Sequence, residues 1–276
     1  MVTLAGETAM TVTTFYSVEA MWLGGGLSAA KIGDSLLNSL RRFGPLSRAM
    51  TNWVLGDAHI PHWVPLADAA PRIAELVEHN VRVDDDGRPD PDDGYRVGIK
   101  GSVVPSEFGG CDSVYLTALA GGRLWNSLEF ETGSFQSPPD LSLVTYPIYR
   151  SVLETLAANW PCPWVSAYAF RSGEFTHPPM TEDEVYARLR RPFEIAWVAY
   201  LSAPLVKDLV PPSEIAFQRT RGGGMILSAV QDRLDPANPE HIRRSELLEA
   251  IMNERVGRFG RQLKQTAELP ARIGPY

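Results

Sequence analysis

Apolar and polar positions alternate with a period of two near the start of the chain. Val12, Thr14, Tyr16 and Val18 are offset from Thr13, Phe15 and Ser17, which predicts a strand. Beyond the Gly24-Gly25-Gly26 turn the period lengthens to that of a helix. Ile32, Leu36, Leu37, Leu40 and Phe43 fall on one side of it, Ser28 caps its start, and Gly44-Pro45 ends it. A second amphipathic stretch, from about Asp68 to His79, turns Ile73, Leu76 and Val77 inward, with Pro71 in the first turn where proline is tolerated. Tyr95, Val97 and Ile99 then alternate with Arg96, Gly98 and Lys100. Strands over Val114 to Leu119 and Leu124 to Phe130 follow, joined by the hairpin signal Gly121-Gly122. Pro147 opens a helix bearing Ile148, Val152, Leu153, Leu156 and Trp160, and Pro161 closes it.

The remainder repeats this order of elements. Trp164 to Phe170 reads as a strand, and Thr181-Glu182-Asp183-Glu184 as the capping box of a short helix that ends before Pro192. Ile195 to Leu201 is a near-continuous apolar run, the pattern of a strand buried on both faces. Glu214 to Arg219 and Met225 to Val230 are two more strands, linked across Gly222-Gly223-Gly224. The last helix is capped by Asn238, takes Pro239 as its first residue, and carries Ile242, Leu247, Leu248, Ile251 and Met252 inward. Strands and helices run in blocks, so the fold class is α+β: a mostly antiparallel sheet with flanking helices, and two related β-α-β-β-β-α halves suggested by the element order. The expected domain spans 12–256, with halves at 12–160 and 163–256 and flexible ends at 1–11 and 257–276.

Between the second helix and the next strand lies a segment of another kind. Asp84, Asp85, Asp86, Asp90, Asp92 and Asp93 share it with two prolines and two glycines, which leaves it no helix or strand to join. Counted as an EF-hand from Asp84, its twelfth position is Tyr95 where a bidentate glutamate should stand, so a calcium loop is the lesser reading. A solvated loop is the default, and an electrostatic contact surface for a basic protein is the functional alternative. Trp22, Trp53 and Trp63 flank loops, where aromatic anchors of interfaces are found, although packing remains the commoner role; Trp160, Trp164 and Trp197 read as core.

Composition and charge narrow the classes. The 276 residues are 44% hydrophobic and 21% charged, an ordinary globular balance, and no apolar run is long enough to span a membrane. The first ten residues lack the pattern of a signal peptide, so a cytoplasmic location is expected. With 26 basic against 33 acidic side chains the net charge is −7, which argues against nucleic acid or anionic membrane as partner and favours a basic protein. The two cysteines, Cys111 and Cys162, are too few and too far apart for a disulfide scaffold or a zinc knuckle; two buried thiols are favoured over a single bridge.

Candidate chemistry is sparse. Neither Gly24-Gly25-Gly26 nor Gly222-Gly223-Gly224 has phosphate-loop form. His59 and His62 are three apart with Pro61 between them and no glutamate partner, and they read as loop histidines; His79, His177 and His241 are isolated. Glu129 and Glu131 share one face of a strand end, and Asp232 and Asp235 follow another strand. Paired carboxylates can do acid–base work, and a small hydrolase or nuclease using Glu129, Glu131 and histidines is the enzymatic alternative. No cofactor and no resident metal is expected.

Several segments resemble the immunity protein 52 family of bacterial toxin systems. They are Phe15 to Trp22 with the following helix through Leu36 to Phe43, the Trp53 segment, and Ala196-Trp197-Val198-Ala199-Tyr200-Leu201-Ser202. The last is Gly223-Gly224-Met225-Ile226-Leu227-Ser228-Ala229, running into Leu234-Asp235-Pro236-Ala237-Asn238-Pro239-Glu240-His241. The resemblance implies a cytoplasmic, non-enzymatic α+β antidote that binds a cognate toxin domain, often a nuclease of restriction-endonuclease-like type. It implies no catalytic residues. The acidic loop matches no part of it, so Asp84, Asp85, Asp86, Asp90, Asp92, Asp93 and Trp63 stand as partner-binding candidates on chemistry alone.

Overall fold

The alternating strands pair into a single sheet. The computed structural model describes residues 13–24, 26–57, 60–84, 86–103, 113–123, 125–133, 139–171 and 195–266. Ten strands are hydrogen-bonded in the order β3-β2-β4-β5-β6-β1-β7-β8-β10-β9. They are β1 (Thr14–Leu23), β2 (Trp53–Asp57), β3 (Ile60–Pro65), β4 (Tyr95–Gly101), β5 (Val114–Ala120), β6 (Trp125–Thr132), β7 (Trp164–Arg171), β8 (Ala196–Leu201), β9 (Ala216–Arg219) and β10 (Met225–Ser228). Every pairing between neighbours is antiparallel. The α+β class and antiparallel sheet are therefore those the sequence predicts.

Helices flank both faces. On one lie α1 (Ala29–Phe43), the short α2 (Leu66–Ala69), α3 (Ile73–His79) and α4 (Tyr146–Asn159). Ile32, Leu36, Leu40 and Phe43 of α1 bury with Leu76 and Val77 of α3 and Val152, Leu153 and Leu156 of α4. Their counterparts on the sheet are Val18, Ala20 and Trp22 of β1, Leu116 and Ala118 of β5, and Leu128 and Phe130 of β6. The predicted cap is present, with Ser28 Oγ accepting the Lys31 N–H at 3.4 Å. Gly33 lets α1 and α3 touch: a Cβ there would lie 2.8 Å from the Ile73 side chain. On the opposite face α5 (Pro239–Thr266) packs Leu248, Ile251, Met252 and Val256 on Met21, Trp164, Leu201, Met225 and Leu227. That second layer covers the β1-β7-β8-β10 side.

Four details differ from the sequence reading. The segments around Trp53 and Trp63, not read as strands, form the β2–β3 hairpin at a sheet edge, while Trp53 and Trp22, at 4% exposure each, have the packing role expected as the commoner one. Helix α5 continues through Thr266, so residues 257–266, expected as a flexible end, are helical. The two halves also differ in strand order. The first brings its opening strand β1 beside its last strand β6, whereas the second sets β7 beside its next strand β8. The fourth detail is the acidic segment, which is built more tightly than its composition suggests. Cys111, Asp85, His59, His177, the helix expected from Thr181 and the side chain of His62 lie outside the described residues. Cys162 is a free, buried thiol whose pKa burial pushes up to about 12.

Candidate functional site

The six-aspartate segment leaves α3 and returns to β4 as a hydrogen-bonded excursion. Val81 bridges Tyr95 and Val83 bridges Pro89, so the loop does join a ladder, through isolated bridges. Asp84 Oδ1 accepts the N–H groups of Asp86 and Arg88 at 2.9 and 2.8 Å, and Asp90 Oδ1 accepts that of Asp92 at 3.0 Å. This is the turn chemistry that makes aspartate common in loops. The Arg123 N–H donates to the Asp92 carbonyl at 2.9 Å, tying the loop to the β5–β6 hairpin. Gly94 (φ +86°) is required at this junction, because a Cβ would meet the Gly122 nitrogen at 2.5 Å.

Arginines moderate the loop's charge. Arg82 pairs with Asp93 at 3.0 Å, Arg123 with Asp92 at 2.8 Å, and Arg88 with Asp86 at 3.4 Å. Burial raises the Asp93 pKa, the Arg82 guanidinium opposes the rise, and Asp90 adds to it. The exposed pairs contribute little to stability, but they reduce the field the loop projects. Asp84, Asp86 and Asp92 remain exposed.

Trp63 stands on the edge strand β3 and is 36% exposed. Its ring lies over two strand glycines, 3.3 Å from where a Cβ of Gly56 would stand and 3.9 Å from that of Gly98. Lys100 Nζ sits 4.3 Å from the Trp63 ring centroid and 5.5 Å from that of Tyr115, a cation held between two aromatic faces.

From Lys100 a row of side chains crosses the sheet in register: Lys100, Tyr115, Glu131, Ser17 and Tyr168, on five successive strands. The adjacent row is Gly98, Thr117, Glu129, Glu19 and Ser166. The structure thus brings Glu129 and Glu131 together as predicted and adds Glu19, which the sequence reading missed. Its signal was the alternation of β1, which puts Glu19 on the same side as Ser17. Glu19 is 5% exposed. Burial first, and the neighbouring Glu129 second, push the Glu131 pKa up to about 8. Glu131 also lines a cavity of about 100 Å³ with Phe15, Tyr115 and Phe170. Such a carboxyl is mostly protonated near neutral pH and can donate a hydrogen bond. Among the described residues no three His, Cys, Asp or Glu side chains are grouped to hold one metal ion.

In the last of the segments that carry the family resemblance, Gly223-Gly224 and Asn238 are turn and helix-start devices. Gly223 (φ +80°) turns the β9–β10 hairpin, closed by the Thr220 N–H donating to Gly224 O at 2.9 Å. Asn238 Oδ1 caps α5 by accepting the Glu240 N–H at 3.0 Å, and Asp235 Oδ1 accepts that of Ala237 at 2.9 Å. His241 Nδ1 accepts the Asp235 N–H at 3.1 Å, and His79 lies 3.9 Å from Glu75 on α3. Tyr16 donates to the Leu234 carbonyl at 2.8 Å, fastening this segment to β1. These contacts explain the motif as architecture.

No family model matches the chain, and no curated protein matches it. Among solved structures it is similar to the Pseudomonas aeruginosa T6SS protein PA0821, with a TM-score of 0.52 and 13% identity, over 88% of this chain and 73% of that one. At that identity the likeness is one of fold. Among the described residues no helix is long and apolar enough to cross a membrane.

Proposed function

We propose that the protein is an immunity protein of a type VI secretion (T6SS) or related toxin system, which binds one cognate toxin domain and blocks it without catalysis. The observation that carries this reading is the likeness of fold to a T6SS protein along 88% of the chain. The short segments that resemble the immunity protein 52 family point the same way. A basic toxin, such as a nuclease of restriction-endonuclease-like type, suits a partner of net charge −7. Trp63 and the aspartates Asp84, Asp85, Asp86, Asp90, Asp92 and Asp93 form its contact surface, at or near the β3 edge. The protein acts in the cytoplasm, where such a toxin would reach its target.

Co-expression with the toxin encoded beside its gene tests this directly. Growth is rescued and the two proteins purify as one complex; a neighbour that is not toxic, or a toxin left unbound, overturns the proposal. The grouping of Glu19, Glu129 and Glu131 in two adjacent rows is the one observation that favours an enzyme. Purified protein with hydrolase or nuclease turnover that Glu129→Gln abolishes, the fold being intact, would put catalysis in its place.

A further inference from the structure

The sheet's other edge ends on β9, four residues long, whose outer side pairs with no strand among those described. Phe217 (56%), Gln218 and Arg219 are exposed there. Beside it, between α4 and the β9–β10 hairpin, opens a cleft of about 670 Å³. Its apolar lining includes Tyr200 and Ile226, and three arginines border it: Arg42 from the last turn of α1, Arg221 from the turn after β9, and Arg219 of β9, which pairs with Met225 and so alternates with Gln218, the β9 side chain that meets Arg150 of α4. Among the described residues none of the three has a carboxylate within ion-pair distance. Glu154, the carboxylate of the lining, already accepts Arg150 Nε at 3.0 Å. In a chain of net charge −7, this is a concentration of uncompensated positive charge.

A free strand edge supplies backbone donors and acceptors to an incoming chain, and alternate side chains of that chain then face one side together. Isolated edge arginines serve to discourage such pairing. Here the cations line a recess with an apolar lining, an arrangement that discourages basic strands and accommodates carboxylates, which arginine grips in bidentate fashion. We propose that β9 and this cleft form a docking site for an extended acidic segment of a partner protein, which adds to the sheet as a further strand and seats its carboxylates on Arg42 and Arg221. The site is at the opposite edge from Trp63. Nine strand spacings separate the two edges, about 40 Å. It goes beyond the immunity reading and does not depend on it, because its test needs no toxin.

The test uses the full chain and two fluorescein-labelled peptides, one alternating valine with glutamate and one alternating valine with lysine, followed by anisotropy. The glutamate peptide binds and the lysine peptide binds at least about tenfold more weakly, a gap that narrows as salt is added. The double variant Arg42→Glu, Arg221→Glu reverses that preference. These side chains are exposed, and an unchanged melting curve verifies that the variant folds. A glutamate peptide N-methylated at alternate residues, on the side that would meet β9, loses roughly tenfold in affinity if it pairs as a strand. Equal binding of the two charged peptides, or a preference untouched by the double variant, overturns the acidic site. Full affinity of the N-methylated peptide overturns strand addition.

Discussion

Glu19 and Glu129 stand directly opposite each other on β1 and β6, two carboxyls in a position where a sheet normally sets complementary side chains. Glu131, in the next row, has its pKa pushed up to about 8 from an ordinary 4.5 by burial and by Glu129. The folded protein therefore keeps a proton that the unfolded chain has lost across that interval, and stability falls as pH rises from about 4.5 to about 8, then levels. Glu131→Gln should flatten this slope and raise stability above the window by roughly 1–3 kcal/mol. Urea melts on both sides of the window decide it; an unchanged slope in the variant places the titration elsewhere.

Tyr149 joins α4 to the central strand. Its buried hydroxyl donates to the Tyr16 carbonyl at 3.0 Å and lies 2.8 Å from Thr132 Oγ1. Tyr149→Phe keeps the ring and strands those partners, at an expected cost of about 1–3 kcal/mol. Thr132→Val alone and combined with Tyr149→Phe completes a double-mutant cycle, in which the two changes should be strongly non-additive. Additive losses would mean that the two hydroxyls act independently.

Trp197 is fully buried, with ring centroids 6.0 Å from Tyr16 and 5.0 Å from Tyr149, and its Nε1 donates to the Asp232 carbonyl at 2.9 Å. Trp197→Ala should cost on the order of 3–5 kcal/mol, as for other large aromatics removed from a core. A variant that melts like the parent but no longer protects against the toxin would instead make Trp197 a contact residue.

Replacing Asp84, Asp85, Asp86, Asp90, Asp92 and Asp93 by Asn should slow association with the proposed toxin several-fold and flatten its salt dependence, leaving dissociation nearly unchanged. Asparagine keeps the Oδ1 acceptor that Asp84 and Asp90 use to close their turns, so the change is one of charge. Arg88 is exposed and paired with Asp86, and Arg88→Gln should move the on-rate the other way. On-rates at two salt concentrations that match the parent for both variants would move the contact surface away from this loop.

Most elements were legible because their patterns are local. Ile32, Leu36, Leu40 and Phe43 announce α1, and the Asn238 cap announces α5. The β2–β3 hairpin was not legible, because Pro61 and Pro65 argue against a strand unless that strand is at an edge, where a missing N–H costs little. Nothing local says that β3 is an edge. The Glu129 and Glu131 pair could be read from one strand, but Glu19 meets them only through pairing of segments far apart in sequence. Charge in the acidic loop was legible in number and not in effect, since Arg82 and Arg123 reach it from outside its own run.

The strand at the start of the described chain lies deep inside the sheet, between β6 and β7. Ser17 Oγ donates to the carbonyl of Phe130, 113 residues further along. At ordinary rates of translation, β1 leaves the ribosome on the order of ten seconds before β7, and through that interval one of its edges lacks its partner. Such non-local pairing slows folding. Losing this one early segment would therefore not trim the sheet at a margin: it would part the five strands from β3 to β6 on one side from the four on the other.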